Sequence, residues 1–233
     1  RSNKAAQMLK KWDKIGLREF LLENPGMKIM KETDTCLTLT GKYNLIAIKS
    51  GQHYINDFYD LKIEVPHNFP YEIPTVIETA GRIPRDGDHH INWYNIGKDN
   101  LCLGSRIRIL SEIAKEPTIK GFIKNCVDPF LYSISIEKFV FGELTHGYEG
   151  ILEDYKNIFN VKTNEQVLKI LNLICTKKRL ANKKICPCGC GERLGKCKLH
   201  ILINKIRKNS IKKSNLFELQ QLTLFTRGTT PQE

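Results

Sequence analysis

A chain of 233 residues is long enough to bury one sizeable core and carry an appendage. Its 41% hydrophobic and 27% charged residues exclude a disordered chain, and no apolar run nears the roughly 20 residues that cross a bilayer. The 37 Lys/Arg and 25 Asp/Glu divide as 21 and 21 over residues 1–160 and as 16 and 4 over 161–233, so the whole net charge of +12 is C-terminal. A neutral first part speaks against a nucleic-acid groove there. The basic segment suits phosphates or an acidic partner, or is a solvated tail. The opening RSNKAAQMLKKW lacks the apolar segment of a secretory signal, so a cytoplasmic protein without membrane contact is expected.

Residues 4–22 place Met8, Leu9, Trp12 and Ile15 near one side of an amphipathic helix, which Asn24-Pro25-Gly26 stops. From Thr35 the period changes to two. Thr35 to Thr40, a Gly41-Lys42 turn, Tyr43 to Ile48, Tyr59 to Val65 and Thr75 to Thr79 predict a four-stranded antiparallel meander. The prolines of Phe69-Pro70-Tyr71-Glu72-Ile73-Pro74 stiffen a turn before the last strand.

Ile119, Phe122, Ile123, Cys126, Val127 and Phe130 keep helical spacing, with a kink or a new helix expected at Pro129. Gly150 to Phe159 and Thr163 to Leu180 read as helices, and the tail from Ile201 to Phe225 as partly helical. Gly228 to Glu233 is the one stretch with the composition of a disordered end. The expected organisation is an α+β domain over 1–160, a linking helix over 161–182, a metal module over 183–203 and a basic, partly helical tail over 204–233.

Four of the eight cysteines fall between Cys186 and Cys197, while Cys36, Cys102, Cys126 and Cys175 are scattered. A cluster plus singles points to metal and thiols, not to a disulfide framework. Cys126 belongs to an apolar helical stripe and reads as core. Cys102 lies in HHINWYNIGKDNLCLG, where Asn95, Gly97, Asp99 and Asn100 favour irregular backbone. It is either a reachable nucleophile or, between Leu101 and Leu103, a small buried hydrophobe.

The segment CPCGCGERLGKCKLH spans 186–200 and suits tetrahedral zinc, since thiolates and imidazole at this density hold a segment that has almost no core of its own. Its spacing C-x-C-x8-C-x2-H resembles the SEC-C family of small zinc modules, whose pattern runs CPCGSGKKYKKCH. Cys186, Cys188 and Cys197 match the family cysteines, and Cys190 replaces the family serine. His200 lies two residues beyond the expected fourth ligand, where Lys198 stands. His200 is the favoured fourth ligand and Cys190 the alternative. Four ligands would fill the tetrahedron, so the zinc is expected to be structural.

The order helix, antiparallel meander, proline turn, cysteine loop, helices resembles the ubiquitin-conjugating enzyme fold over about residues 4–160. Phe69-Pro70-Tyr71-x-x-Pro74-x-Val76 resembles the family's YPxxPPxV, His90-Ile91-Asn92 its His-Pro-Asn, and Leu101-Cys102-Leu103 the surroundings of its active cysteine. Arg82-Ile83-Pro84 and Phe141-Gly142-Glu143-x-x-His146-Gly147 resemble segments of bacterial conjugating-enzyme-like proteins, some of which accompany cGAS-like nucleotidyltransferases in CBASS antiphage operons.

The resemblance implies that Cys102 carries the C-terminus of a ubiquitin-like protein or of such a nucleotidyltransferase as a thioester and passes it to a lysine, with or without a separate activating enzyme. Asn92 precedes Cys102 by ten residues and Asn95 by seven, against eight in the family, so either is a candidate oxyanion donor. Ile91 stands where the family has proline. His90, with His89, Asp86 and Asp88, is near enough in sequence to orient or deprotonate the amine, and His146 is structural by default. The competing reading is a catalytically inactive conjugating-enzyme-like module that docks a partner, its basic zinc segment holding nucleic acid.

Overall fold

The computed structural model of the chain describes residues 12–48, 54–84, 91–92, 99–136 and 147–228, with backbone alone at 48, 91 and 92. The chain divides into two compact units, residues 1–103 with 112–144, and residues 104–111 with 145–233.

The first unit is built on a mixed α+β plan around an antiparallel sheet. Its strands are β1 (Met27–Glu32), β2 (Cys36–Ile48), β3 (Tyr54–Pro66), β4 (Thr75–Glu78), β5 (Ile91–Asn92) and β6 (Asn100–Leu101), in the spatial order β1-β2-β3-β4-β6-β5. The alternation that predicts the meander does bury one face. Along β3, Tyr59, Leu61, Ile63 and Val65 are inaccessible while Asp60, Lys62 and Glu64 between them are partly exposed. Leu37, Leu39 and Tyr43 of β2 stand opposite Val65, Ile63 and Tyr59 and extend that face.

Two strand expectations change. Gly41-Lys42 is not a turn, because β2 runs unbroken for 13 residues. Gly41 is required there by its neighbour: a Cβ would lie 2.1 Å from the Gly26 carbonyl oxygen, and φ is +139°. The strand opposite, β1, escapes a periodicity reading because it is an edge strand whose side chains are mostly exposed. The two-residue β5 and β6 are set by their partners, and make the sheet six-stranded among the described residues instead of four.

The opening helix also differs. Residues 1–11 lie outside the described ones, and the helical path from Trp12 breaks at Gly16 (φ +74°) before α1 (Leu17–Glu23). The break frees the Ile15 carbonyl, which accepts from Ile119 N–H at 2.9 Å. Asn24 ends α1 as expected, its side chain donating to Phe20 O at 2.9 Å. The stripe from Ile119 folds as α2 (Ile119–Phe122), a π-turn (Ile123–Val127) and α3 (Asp128–Ser135). Pro129, in the first turn of α3, accounts for the expected break, and the chain accommodates it with the wider π-turn just before. α3 is tied to the sheet by Tyr43 OH donating to Asp128 Oδ1 at 2.6 Å and by Tyr59 OH and Ser135 Oγ at 2.8 Å.

The second unit is helical. A helix at Arg106–Ile113 (α4) contributes its first turns, followed by α5 (Gly147–Phe159), α6 (Asn164–Cys175), α7 (Lys178–Ala181), a 3-10 turn (Leu194–Lys196), α8 (Leu199–Lys208) and α9 (Lys212–Thr226). Thr163 and Gln166 form a capping box at the start of α6, which is why that helix begins where it does. One core joins Ile107, Tyr155, Val167, Leu194, Ile203 and Leu222. α5, grouped by sequence with the first domain, thus packs in the second unit, and α6 is its centre.

Residues 105–108 are held by polar contacts in the same unit. Ser105 and Arg108 both bond Asp154, and Arg106 Nε lies 3.9 Å from Glu218 Oε2, whose partner Tyr155 donates from its hydroxyl. Burial pushes the Glu218 carboxyl above its usual range. None of the helices found is long and apolar enough to cross a membrane.

Candidate functional site

β6 delivers Cys102. This short strand sits between β4 and β5, with Asn100 opposite Ile77 on one side and Asn92 on the other, and Leu101 opposite Ile91. Leu101 and Leu103 are buried, so the chain is anchored on both sides of Cys102, which is itself half-buried. The register sets the backbone of Asn92 across from Asn100, two residues before the thiol. His90 and Asn95 lie outside the described residues, as do His89, Asp86, Asp88 and His146.

Asn100 escaped the sequence reading as a site residue. It is 7% exposed, and its buried Oδ1 has no hydrogen-bond partner among the described residues. Its signal was the shared parity with Cys102, two positions on.

Of the other single thiols, Cys36 is half-buried like Cys102, and the remaining two are buried. Cys126 is in the core as expected, and burial pushes its thiol up to about 12; burial raises Cys175 too. Neither supplies thiolate near neutral pH. Before the cysteine loop, the Glu78 carboxylate accepts from Ala80 N–H at 2.8 Å and Arg82 N–H at 2.9 Å, which fixes the turn into Arg82-Ile83-Pro84. Arg82 then pairs with Asp57 and lies 4.7 Å from the centre of the Tyr59 ring, while Ile83 is fully buried.

In the second unit, Cys186, Cys188, Cys190 and Cys197 present sulfurs that all lie within 4.8 Å of one another. A tetrahedron of zinc–sulfur bonds of about 2.3 Å has edges of about 3.8 Å, and Cys188 Sγ to Cys197 Sγ is 3.6 Å. A minimal hairpin makes the cluster. Cys186 N–H donates to Glu192 O at 2.8 Å, Ile185 bridges to Arg193, and Gly189 (φ +87°) and Gly191 (φ +76°) close the turn. The 3-10 turn then returns Cys197, whose sulfur accepts from Leu199 N–H at 3.4 Å.

Four soft thiolate donors fit zinc, and they would hold it as a closed, structural centre. His200, the expected fourth ligand, is not in the group; its Nδ1 is 2.7 Å from the Cys197 carbonyl oxygen instead. Cys190, the alternative, completes the set, because the second glycine turn swings it back toward Cys188 while His200 is carried off in the first turn of α8.

The cluster is not a free-standing knuckle. Cys186 is 3% exposed and belongs to the core, and Gln166, which already caps α6, donates from Nε2 to Pro187 O at 2.8 Å. No family model, curated protein or solved structure matches the chain.

Proposed function

We propose that the chain is a cysteine-dependent acyl carrier of the ubiquitin-conjugating type, with Cys102 as nucleophile and the first unit as a conjugating-enzyme-like fold. The observation that carries this reading is the β5–β6 register, which puts the backbone of Asn92 beside the strand that ends one residue before the half-buried Cys102. Asn92, at the position resembling the family's asparagine, is the proposed oxyanion donor, with Asn95 as the alternative.

In this reaction the Cys102 thiolate attacks an acyl-adenylate carbonyl, forming the carbon–sulfur bond as AMP leaves. A lysine amine of the target next attacks the thioester, the thiolate departs, and the amine proton passes to a base for which His90 is the candidate. The side-chain amide of Asn92 stabilises the oxyanion of that second step, a contribution of about 3 kcal/mol in such sites.

The acyl donor is a ubiquitin-like protein or a cGAS-like nucleotidyltransferase, loaded by an adenylating enzyme in a CBASS-type antiphage operon. The four cysteines hold structural zinc in a SEC-C-like turn.

The test is coexpression with the neighbouring genes and a non-reducing gel. Wild-type protein should show a reducible adduct, Cys102→Ala none, and Cys102→Lys a reductant-stable one. Asn92→Ala should load but discharge roughly 100-fold more slowly. An adduct that survives Cys102→Ala, or a Cys102 that resists alkylation near neutral pH in folded protein, would leave the docking-module reading in its place.

A further inference from the structure

The segment joining α6 to α8 carries charge that neither the acyl chemistry nor the metal cluster uses. Residues 177–198 contain eight Lys/Arg and one acid, Glu192, and all nine side chains are on exposed residues. Among the described residues none of the eight cations takes part in an ion pair.

The fold concentrates them. Lys177, Lys178 and Arg179 open α7, whose Ala181 is fully buried. Lys183 and Lys184 then run antiparallel to Arg193 and Lys196: Leu194 N–H donates to Lys184 O at 2.8 Å, and Gly195 N–H to Asn182 O at 3.1 Å. Two basic runs are therefore hydrogen-bonded side by side, at a strand spacing of about 4.8 Å, on a hairpin held by the cysteine cluster. Like charges fixed this closely repel, and an anion with regularly spaced charges relieves the repulsion.

The composition selects among such anions. Six of the eight cations are lysines, and lysine is depleted from protein–protein interfaces where arginine is enriched. The segment has no aromatic residue on which an unpaired base would stack; its exposed apolar side chains are Leu180 and Ile185. Lysines acting as point charges on phosphates read no base edges. We infer that this hairpin surface binds the phosphate backbone of a nucleic-acid duplex without regard to sequence. The inference stands apart from the acyl-transfer reading.

Fluorescence anisotropy of the full, metal-loaded chain with short scrambled duplexes tests it, with DNA and RNA as separate arms. Binding to either duplex should weaken steeply with salt, with a log–log slope of about −4 between about 50 and 200 mM. The variant Lys183→Gln/Lys184→Gln/Arg193→Gln/Lys196→Gln should bind at least tenfold more weakly and flatten the slope by about 3. A matched variant, Lys205→Gln/Lys208→Gln/Lys212→Gln/Lys213→Gln, removes the same charge from α8 and α9 and should lose less than threefold.

Far-UV circular dichroism and metal content check that the hairpin variant folds. If it does not, Lys177→Gln/Lys178→Gln must still weaken binding and flatten the slope by about 1 to 2. Absence of duplex binding at about 50 mM salt, equal losses in the two quadruple variants, tighter binding of the single strand, or displacement of the duplex by an equal charge of polyglutamate would each overturn the inference.

Discussion

Tyr43 donates to Asp128 at 2.6 Å on the buried side of the sheet, and burial outweighs that bond, pushing the Asp128 carboxyl up to about 6. A carboxyl whose pKa is raised by folding favours the folded state while protonated. Its contribution is therefore full below the unfolded value of about 4 and is lost as pH rises through about 6. Asp128→Asn keeps an acceptor for Tyr43 and removes the titration. Trp12 is buried in the first unit, so urea melts followed by tryptophan fluorescence in a Trp93→Phe background report on that unit. Between pH 4 and 7 wild type should lose about 2 kcal/mol relative to Asp128→Asn. Parallel pH profiles for the two proteins would sink this account.

At the scale of elements, the two glycines at the start of the β1–β2 ladder carry a demand that local sequence hides. Gly26 and Gly41 approach until a Cβ on either would meet a carbonyl oxygen of the opposite strand, at 2.3 Å and 2.1 Å. Backbone must move for either to be replaced, so Gly41→Ala should destabilise the first unit by about 2 to 3 kcal/mol. Gly81 has φ +73° but open space around its Cβ position, and Gly81→Ala should cost only about 1 kcal/mol. Equal losses would show that the close approach is relaxed cheaply and that torsion alone sets the cost.

For the molecule as a whole, the cysteine cluster is where one chemical change should reach many residues. Cys186 lies in the core that α5, α6, α8 and α9 share, and Gln166 fastens the cysteine turn to the start of α6. Removing the zinc that these thiols are proposed to hold should therefore cost the second unit most of its helix by circular dichroism and the hydrogen-exchange protection of α6 and α8, while β2–β3 amides and Trp12 fluorescence stay unchanged. Retained protection in α6 would show that the core holds without its clasp. Burial also holds the Cys186 thiol above its ordinary range, so loading must release protons. Cys190→Ser should weaken zinc retention in a chelator competition far more than His200→Ala does. The reverse order would return His200 to the ligand set.

Much of this was legible in the sequence because it is local. Alternation at Tyr59, Leu61, Ile63 and Val65 announces a half-buried strand, Pro129 a break in the helical stripe, and four cysteines within 12 residues a thiol cluster close enough to hold a metal ion. These signals depend on neighbours a few positions away. What required the tertiary structure depends on residues distant in sequence. Gly41 is in a strand because Gly26 lies against it, and β6 exists because Ile77 and Asn92 flank Asn100. Cys190 displaces His200 because the backbone torsions of two glycines aim it, and α5 joins the second unit because Tyr155 meets Glu218, 63 positions on. Residue spacing sets which side chains share a strand or a turn. Which distant segments close around them is decided by buried area and by the pairing of buried polar groups, and neither is a property of any short stretch of chain.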